Sequence, residues 1–299
     1  MEVKLRKREI TTGIILVMLS AFLFGIMPFL AVNVYENGGN PLFLSLCRFL
    51  LSLPFLFVLD RFSTQPEKKP TRALVPRFFL TTTVFVLTTL LMFLSYSYIP
   101  SSLTTTIHFT YPAIVLLICR VVYKQKIVPI KYVCCALCIL GVVLFCSLGG
   151  EVKLLGVLLA FASAITFALY VTTLSASGLQ EVFTPYRMVM LMNLTGAVAM
   201  TLICAITGSF AFDMPFKGWL FSFLLSMCAG VCAVVLFQMG LKRCGPQNAS
   251  MFSTLEPLTS VLAGVIVLNE PMTLQTGFGI LLILGAVLLL SVYGKNEKA

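Results

Sequence analysis

The chain has 299 residues, of which 59% are hydrophobic and only 11% charged. Most segments therefore cannot turn a polar face to water, which excludes a soluble globular fold and indicates an integral membrane protein. The net charge of +10 follows from how basic residues orient a chain in a bilayer, so nucleic acid is not implied as a partner.

A crossing needs about 20 apolar residues for a hydrocarbon core of roughly 30 Å. Polar breaks divide the chain into ten such stretches, near 11–34, 41–59, 78–98, 101–119, 128–148, 155–175, 184–207, 217–240, 246–268 and 273–293. The expected fold class is all-α integral membrane, with ten transmembrane helices in two inverted five-helix repeats. Lys4, Arg6, Lys7 and Arg8 precede the first stretch like the n-region of a signal peptide. The uncharged run from Thr11 to Tyr35 is too long for an h-region, however, and no small-x-small site closes it. It reads as a retained span.

Arg48 lies within the second stretch, free to snorkel outward or to pair with a carboxylate, and a structural role is favoured. Asp60 to Arg77 is the longest polar segment and reads as solvated, topogenic charge. The fourth stretch holds His108, the single histidine, on a helix face shared with Ser101, Thr104, Thr105 and Tyr111. Pro112 has no backbone N–H to give to the His108 carbonyl. In the sixth stretch, Ala160, Ala164 and Ala168 are spaced for close helix packing. Arg187 stands near the end of the seventh and is expected to snorkel, while Trp219 beside Lys217 reads as an interfacial anchor. Glu256 is the acidic residue deepest within a span, and Pro257 behind it leaves the Ser253 carbonyl without its helical donor. Tyr96, Tyr98 and Tyr170 suit either a cavity or the membrane interface. The ten cysteines fall almost entirely within spans and read as small apolar packing residues.

The chain also repeats itself. Leu137 to Leu144 (LCILGVVL) recurs as Leu281 to Leu288 (LLILGAVL). Pro112 and Pro257 both stand 13 residues before a polar loop, at Gln125 and Glu270, and 29 and 28 residues before Gly141 and Gly285. The first copy's loop carries Arg120, Lys124, Lys126 and Lys131, whereas Asn269 to Gln275 has no Lys or Arg. Loops of unlike charge belong on opposite faces of the bilayer, and inverted repeats are a construction of secondary transporters. With the N-terminus inside, 17 of the 21 Lys and Arg fall in inner segments and only Lys153 and Lys217 in outer loops. The expected units are a basic cytoplasmic N-terminus at 1–10, five-helix repeats at 11–148 and 155–293, and a cytoplasmic tail at 294–299.

This order of features, with CRFLLSLPF in the second span, HFTYPAIVLL and TLEPLTSVLAG around the two prolines and LNEPMT before the last span, resembles the drug/metabolite transporter superfamily and its EamA-type members. The resemblance implies a bacterial inner-membrane exporter. Many members repeat the acidic residue in the first copy, where this chain has Lys124, Gln125 and Lys126, so Glu270 is given no transport role.

The resulting expectation is a secondary active transporter working by alternating access. Its candidate cavity residues are His108, Tyr111, Thr104, Thr105, Ser253 and Glu256, with helix breaks at Pro112 and Pro257 and Glu256 as the proton-coupling candidate. Hydroxyls and aromatic rings without a Lys or Arg cluster disfavour phosphorylated cargo and suit amino acids, related neutral or zwitterionic compounds, or lipophilic cations. The expected partners are the small-molecule substrate, membrane lipid and a proton, with a homodimer left open; no cofactor, metal or nucleic acid is expected. Hydrolase, metalloprotease, nucleotide and dinucleotide motifs are missing. A channel, a non-transporting scaffold and an intramembrane enzyme using His108 and Glu256 remain as alternatives.

Overall fold

The structure, a computed structural model, describes residues 2–63, 71–144, 153–259 and 274–293, with side chains omitted at 2–7, 102, 276 and 290–293. Every regular element among the described residues is helical. In chain order these are α1 (Glu2–Gly25), α2 (Met27–Glu36), α3 (Pro41–Leu50), α4 (Leu53–Arg61), α5 (Leu74–Ser95), α6 (Ser101–His108), α7 (Tyr111–Val121), α8 (Pro129–Val143), α9 (Leu154–Ala176), α10 (Leu179–Val182) and α11 (Pro185–Thr207). Then come α12 (Phe216–Leu225), a π-helical segment (Ser226–Ala233), α13 (Val234–Phe252) and α14 (Leu274–Tyr293).

Among the described residues, seven helical stretches are long and apolar enough to cross a membrane, and Pro129–Val143 and Gly277–Leu289 are shorter apolar helices. One of the seven, Phe216–Phe252, has 37 residues, which at 1.5 Å each would reach about 55 Å if straight. It is not straight. Gly245 takes φ 77° and ψ 166° with Pro246 behind it, a positive-φ backbone that glycine adopts at little cost and that kinks α13 between two helical parts. Other joints have the same logic: α2, α4 and α7 each carry a proline in their first turn, where the missing N–H breaks no intrahelical bond. Two starts are capped alike. Asn40 accepts from the Phe43 N–H ahead of Pro41, and Thr184 accepts from the Arg187 N–H ahead of Pro185.

Packing is closest between α1 and α13, α5 and α9, α8 and α14, and α11 and α3. Glycine sets these approaches. A Cβ on Gly13 would lie 2.7 Å from the Arg243 Cβ, and one on Gly240 2.7 Å from the Gly13 carbonyl. Likewise a Cβ on Gly156 would lie 2.8 Å from the Tyr98 Cβ, just beyond α5. The recurring octamers meet where α8 crosses α14, with a Cβ on Gly141 only 2.8 Å from the Gly279 carbonyl. Ala160, Ala164 and Ala168 are buried, and the hydroxyls of Thr88 and Thr166 join α5 to α9 at 2.8 Å.

Three expectations are corrected. Arg187 does not snorkel: its guanidinium turns inward to the Asp60 carboxylate, at 3.0 Å from Nε and 2.8 Å from Nη2. Asp60 is accordingly a buried member of α4 and not part of a solvated loop, and the Thr184 hydroxyl also donates to it at 3.2 Å. An uncompensated carboxylate at that depth would be costly, and the cation across the helix interface offsets that cost. Lys131, taken as a loop cation, is fully buried, with Nζ donating to Gln247 at 2.8 Å. Gln247 in turn donates to Gln125 at 2.9 Å. Glu270, the turn containing it, and the junction at 149–152 lie outside the described residues.

Candidate functional site

Two interrupted helices frame the site. The chain leaves α6 at His108, turns through Phe109 and Thr110, and re-enters a helix at Tyr111 with Pro112 in its first turn. In the later copy, α13 ends at Phe252, Ser253 and Thr254 form a turn, and helix resumes over 255–259 with Glu256 and Pro257 in its first turn. The two breaks touch: the Tyr111 hydroxyl points at the Ser250 carbonyl, 3.4 Å away. The Ser253 carbonyl, expected to be without a donor, accepts from the Glu256 N–H at 2.9 Å. Pro257 therefore breaks the helix without stranding that carbonyl.

Beside these breaks lies a small cavity of about 40 Å³, room for a few waters in this conformation. His108 and Glu256 line it, and so do Arg48 from α3, Thr88 and Thr89 from α5 and Tyr170 from α9. Its apolar wall is largely aromatic, from Phe24, Phe85, Phe167 and Phe237. The other four expected residues do not border it. Thr104 is bonded to Ser95 at 2.8 Å, Thr105 donates to the Ser101 carbonyl at 2.8 Å, and Ser253 donates to the Ala249 carbonyl at 2.9 Å. Helical Ser and Thr commonly spend their hydroxyls on a carbonyl one turn back, which removes them from a site. Tyr111 stands behind the wall, its ring 5.3 Å from His108 and 4.7 Å from Phe167 between centroids.

His108 Nδ1 stands 2.8 Å from the Ser163 hydroxyl, which also lies 2.6 Å from the Ala160 carbonyl, so the ring is tied to α9.

Arg48 is 4% exposed and is built into the site. Nη1 donates to the Thr89 hydroxyl at 2.8 Å and Nη2 reaches the Ala229 carbonyl at 3.5 Å. The rings of Phe49, Phe85 and Phe93 surround the guanidinium with centroids 5.8 to 6.0 Å from Cζ, close enough for cation–π attraction. The π-helical segment faces it. There the Ser226 hydroxyl donates to the Arg48 carbonyl at 3.0 Å, and a Cβ on Gly230 would come within 2.8 Å of that same oxygen. π-helical turns recur at functional sites because they redirect backbone groups. Sequence reasoning placed Arg48 in a span but gave it a structural role. Thr88, Thr89 and the phenylalanines carried no signal, since a cavity-facing Phe and a lipid-facing Phe look alike in an apolar run. Among the described residues, no group of three or more His, Cys, Asp or Glu is placed to hold a metal.

The sequence matches the EamA-like transporter family over residues 11–147 and again over 154–292. The chain belongs to the EamA-like transporter family. Its two-repeat architecture, its helical fold and its apolar spans thus describe one thing, a multi-pass membrane transporter. Over 212 residues it is 27% identical to the uncharacterized transporter YvbV of Bacillus subtilis (strain 168), covering 68% of this chain and 67% of that protein. A crystal structure of a protein 14% identical superposes with a TM-score of 0.80, over 94% of this chain and 98% of its own. At that identity the likeness shows the fold alone. Membership of this family speaks for transport and away from the intramembrane-enzyme reading of His108 and Glu256.

Proposed function

We propose that this EamA-like protein is a secondary active exporter that moves small metabolites across the inner membrane by alternating access, driven by protons through Glu256. Its cargo is an amino acid or a related neutral or zwitterionic compound, or a lipophilic cation. The arrangement is ten helices in two inverted five-helix repeats, 11–148 and 155–293, with the basic segment 1–10 and the tail 294–299 both cytoplasmic. Partnerships that exchange the halves fit a duplicated unit: α1 packs on α13 as α9 packs on α5, while α8 meets α14 and α3 meets α11.

The observation that carries the reading is the cavity beside two broken helices, with Glu256 in its wall. Non-helical backbone within a membrane is tolerated where protein or a water-lined cavity covers it, and in transporters such breaks mark the binding site. A carboxyl reached by water first from one side and then from the other binds a proton on one and releases it on the other. Aromatic walls favour an apolar body, and the lack of a Lys or Arg cluster disfavours phosphate esters.

Reconstitution tests this directly. Proteoliposomes with an imposed proton gradient should accumulate an aromatic or branched amino acid, or a lipophilic cation, in preference to sugar phosphates. Glu256→Gln should abolish the gradient's effect while its unfolding temperature in detergent stays close to that of the parent protein. Gradient-driven uptake persisting unchanged in that variant would rule out Glu256 as the coupling group. Stronger inhibition by a sugar phosphate than by any amino acid or cation would overturn the cargo assignment.

A further inference from the structure

Arg48 and Glu256 border one cavity, yet among the described residues no ion pair joins them and neither has another charged partner. A guanidinium offers five N–H donors. Here Nη1 reaches Thr89, Nη2 reaches Ala229 only at 3.5 Å, and Nε, although buried, has no partner among the described residues. Leaving charged donors unmatched in an apolar environment is costly, and a purely structural arginine at this depth would be expected to have them satisfied. Three rings, the Thr89 hydroxyl, the Ser226 hydroxyl on its own carbonyl and the close approach of Gly230 hold Arg48 in place, while the Glu256 carboxyl attracts it across the cavity without reaching ion-pair distance. A fixed cation with spare in-plane donors at a cavity wall is complementary to a carboxylate, which guanidinium binds through two parallel hydrogen bonds.

We infer that Arg48 is the specificity residue of this cavity, anchoring a carboxylate of the cargo while the apolar body lies against the aromatic wall. The inference rests on the cavity being the transport site, and it selects within the proposed cargo. A monocarboxylate with an apolar body is accepted, and a zwitterion most readily, because Glu256 supplies an opposite charge for an ammonium in the same space. A lipophilic monocation without a carboxylate is disfavoured, since it would leave Arg48 unmatched and add a second positive charge beside it.

The test compares ligands that differ only at the carboxylate. Purified protein in detergent is titrated with L-phenylalanine and L-leucine, their methyl esters, their N-acetyl derivatives and tetraphenylphosphonium, and binding is read from the shift in unfolding temperature, since a ligand stabilises the state it binds. The free acids should bind at least about tenfold more tightly than the methyl esters, the range expected for hydrogen bonds to a charged group. Arg48→Gln should erase that ratio by weakening the acid and sparing the ester, and Arg48→Lys should retain part of it, because an ammonium keeps the charge and loses the paired geometry. Esters binding as well as acids to the unaltered protein, or Arg48→Gln keeping the ratio, overturns the anchor. The unaltered protein's ligand series decides the matter even where Arg48→Gln fails to fold. Proton-dependent uptake of tetraphenylphosphonium with no preference for carboxylates overturns the anchor and leaves the exporter standing. No uptake or binding of any probe overturns both.

Discussion

A buried ion pair with one wet partner behaves asymmetrically, and Asp60 with Arg187 is such a pair. The Asp60 side chain is 4% exposed and that of Arg187 39%. Removing the carboxylate leaves a guanidinium that can rehydrate where it stands. Removing the guanidinium leaves a buried carboxylate with, among the described residues, the Thr184 hydroxyl as its remaining side-chain donor. Arg187→Met is therefore expected to destabilise by about 1–3 kcal/mol, the cost of an unsatisfied buried group, below the value for a wholly buried pair because water already screens one side. Asp60→Asn should cost less than about 1 kcal/mol. Thermal unfolding of both variants in detergent decides the order, and an equal loss would mean that Arg187 is held by more than its charge. The partners lie 127 residues apart, so the sequence showed two charges near span ends and nothing of their meeting. Glu256 and His108 were legible for the opposite reason: a titratable group inside an apolar run announces itself alone. Arg48 was legible as an oddity but not as a cavity residue, because its role depends on α5 and the π-helical segment, which the local sequence does not contain.

Among the helices, the recurring octamer shows both the reach and the limit of sequence pattern. It placed α8 and α14 as counterparts, and the two do pack together. It also made Gly141 and Gly285 look equivalent, which they are not. A Cβ at Gly141 would meet Ile283 Cγ1 at 2.7 Å and the Gly279 carbonyl at 2.8 Å, whereas one at Gly285 meets nothing within 4 Å among the described residues. Gly141→Ala must push α8 from α14 and is expected to destabilise by about 1–3 kcal/mol, as overpacking does. Gly285→Ala gains helix propensity worth up to about 1 kcal/mol and should leave the unfolding temperature unchanged or raise it. Equal effects at both positions would show that the contact across this crossing is not close. The π-helical segment was not foreseen at all. Residues 226–233 read SMCAGVCA with no proline, and a wider turn leaves no mark on composition; the segment meets the Arg48 carbonyl, to which Ser226 donates at 3.0 Å.

At the scale of the whole molecule, topology rests on charge, and charge makes a prediction that the packing does not. The segments expected to be inner hold 17 basic residues against two in the expected outer loops, and such a bias orients a chain because cationic loops are retained on the cytoplasmic side. The structure withdraws one residue from a simple count of loop charge: Lys131 is fully buried and bonded to Gln247. Even with it set aside, the bias stays many to one. Single cysteines in a background cleared of native thiols, including the exposed Cys232, should therefore sort by side. Asn37, Ser101 and Glu270 positions should react with an impermeant maleimide on intact cells, and Lys68, Lys126 and Lys242 positions only after permeabilisation. Asn37 is a better outer probe than Asn40, whose side chain caps α3 and donates to the Ser209 carbonyl at 2.9 Å. The decisive comparison is Lys126 with Glu270, the corresponding loops of the two copies. Each copy contains five of the expected spans, and an odd number must turn the second copy over, so these loops belong on opposite faces. Labelling of both from the same side would break the inverted repeat and, with it, the alternating-access reading built on two halves that exchange roles.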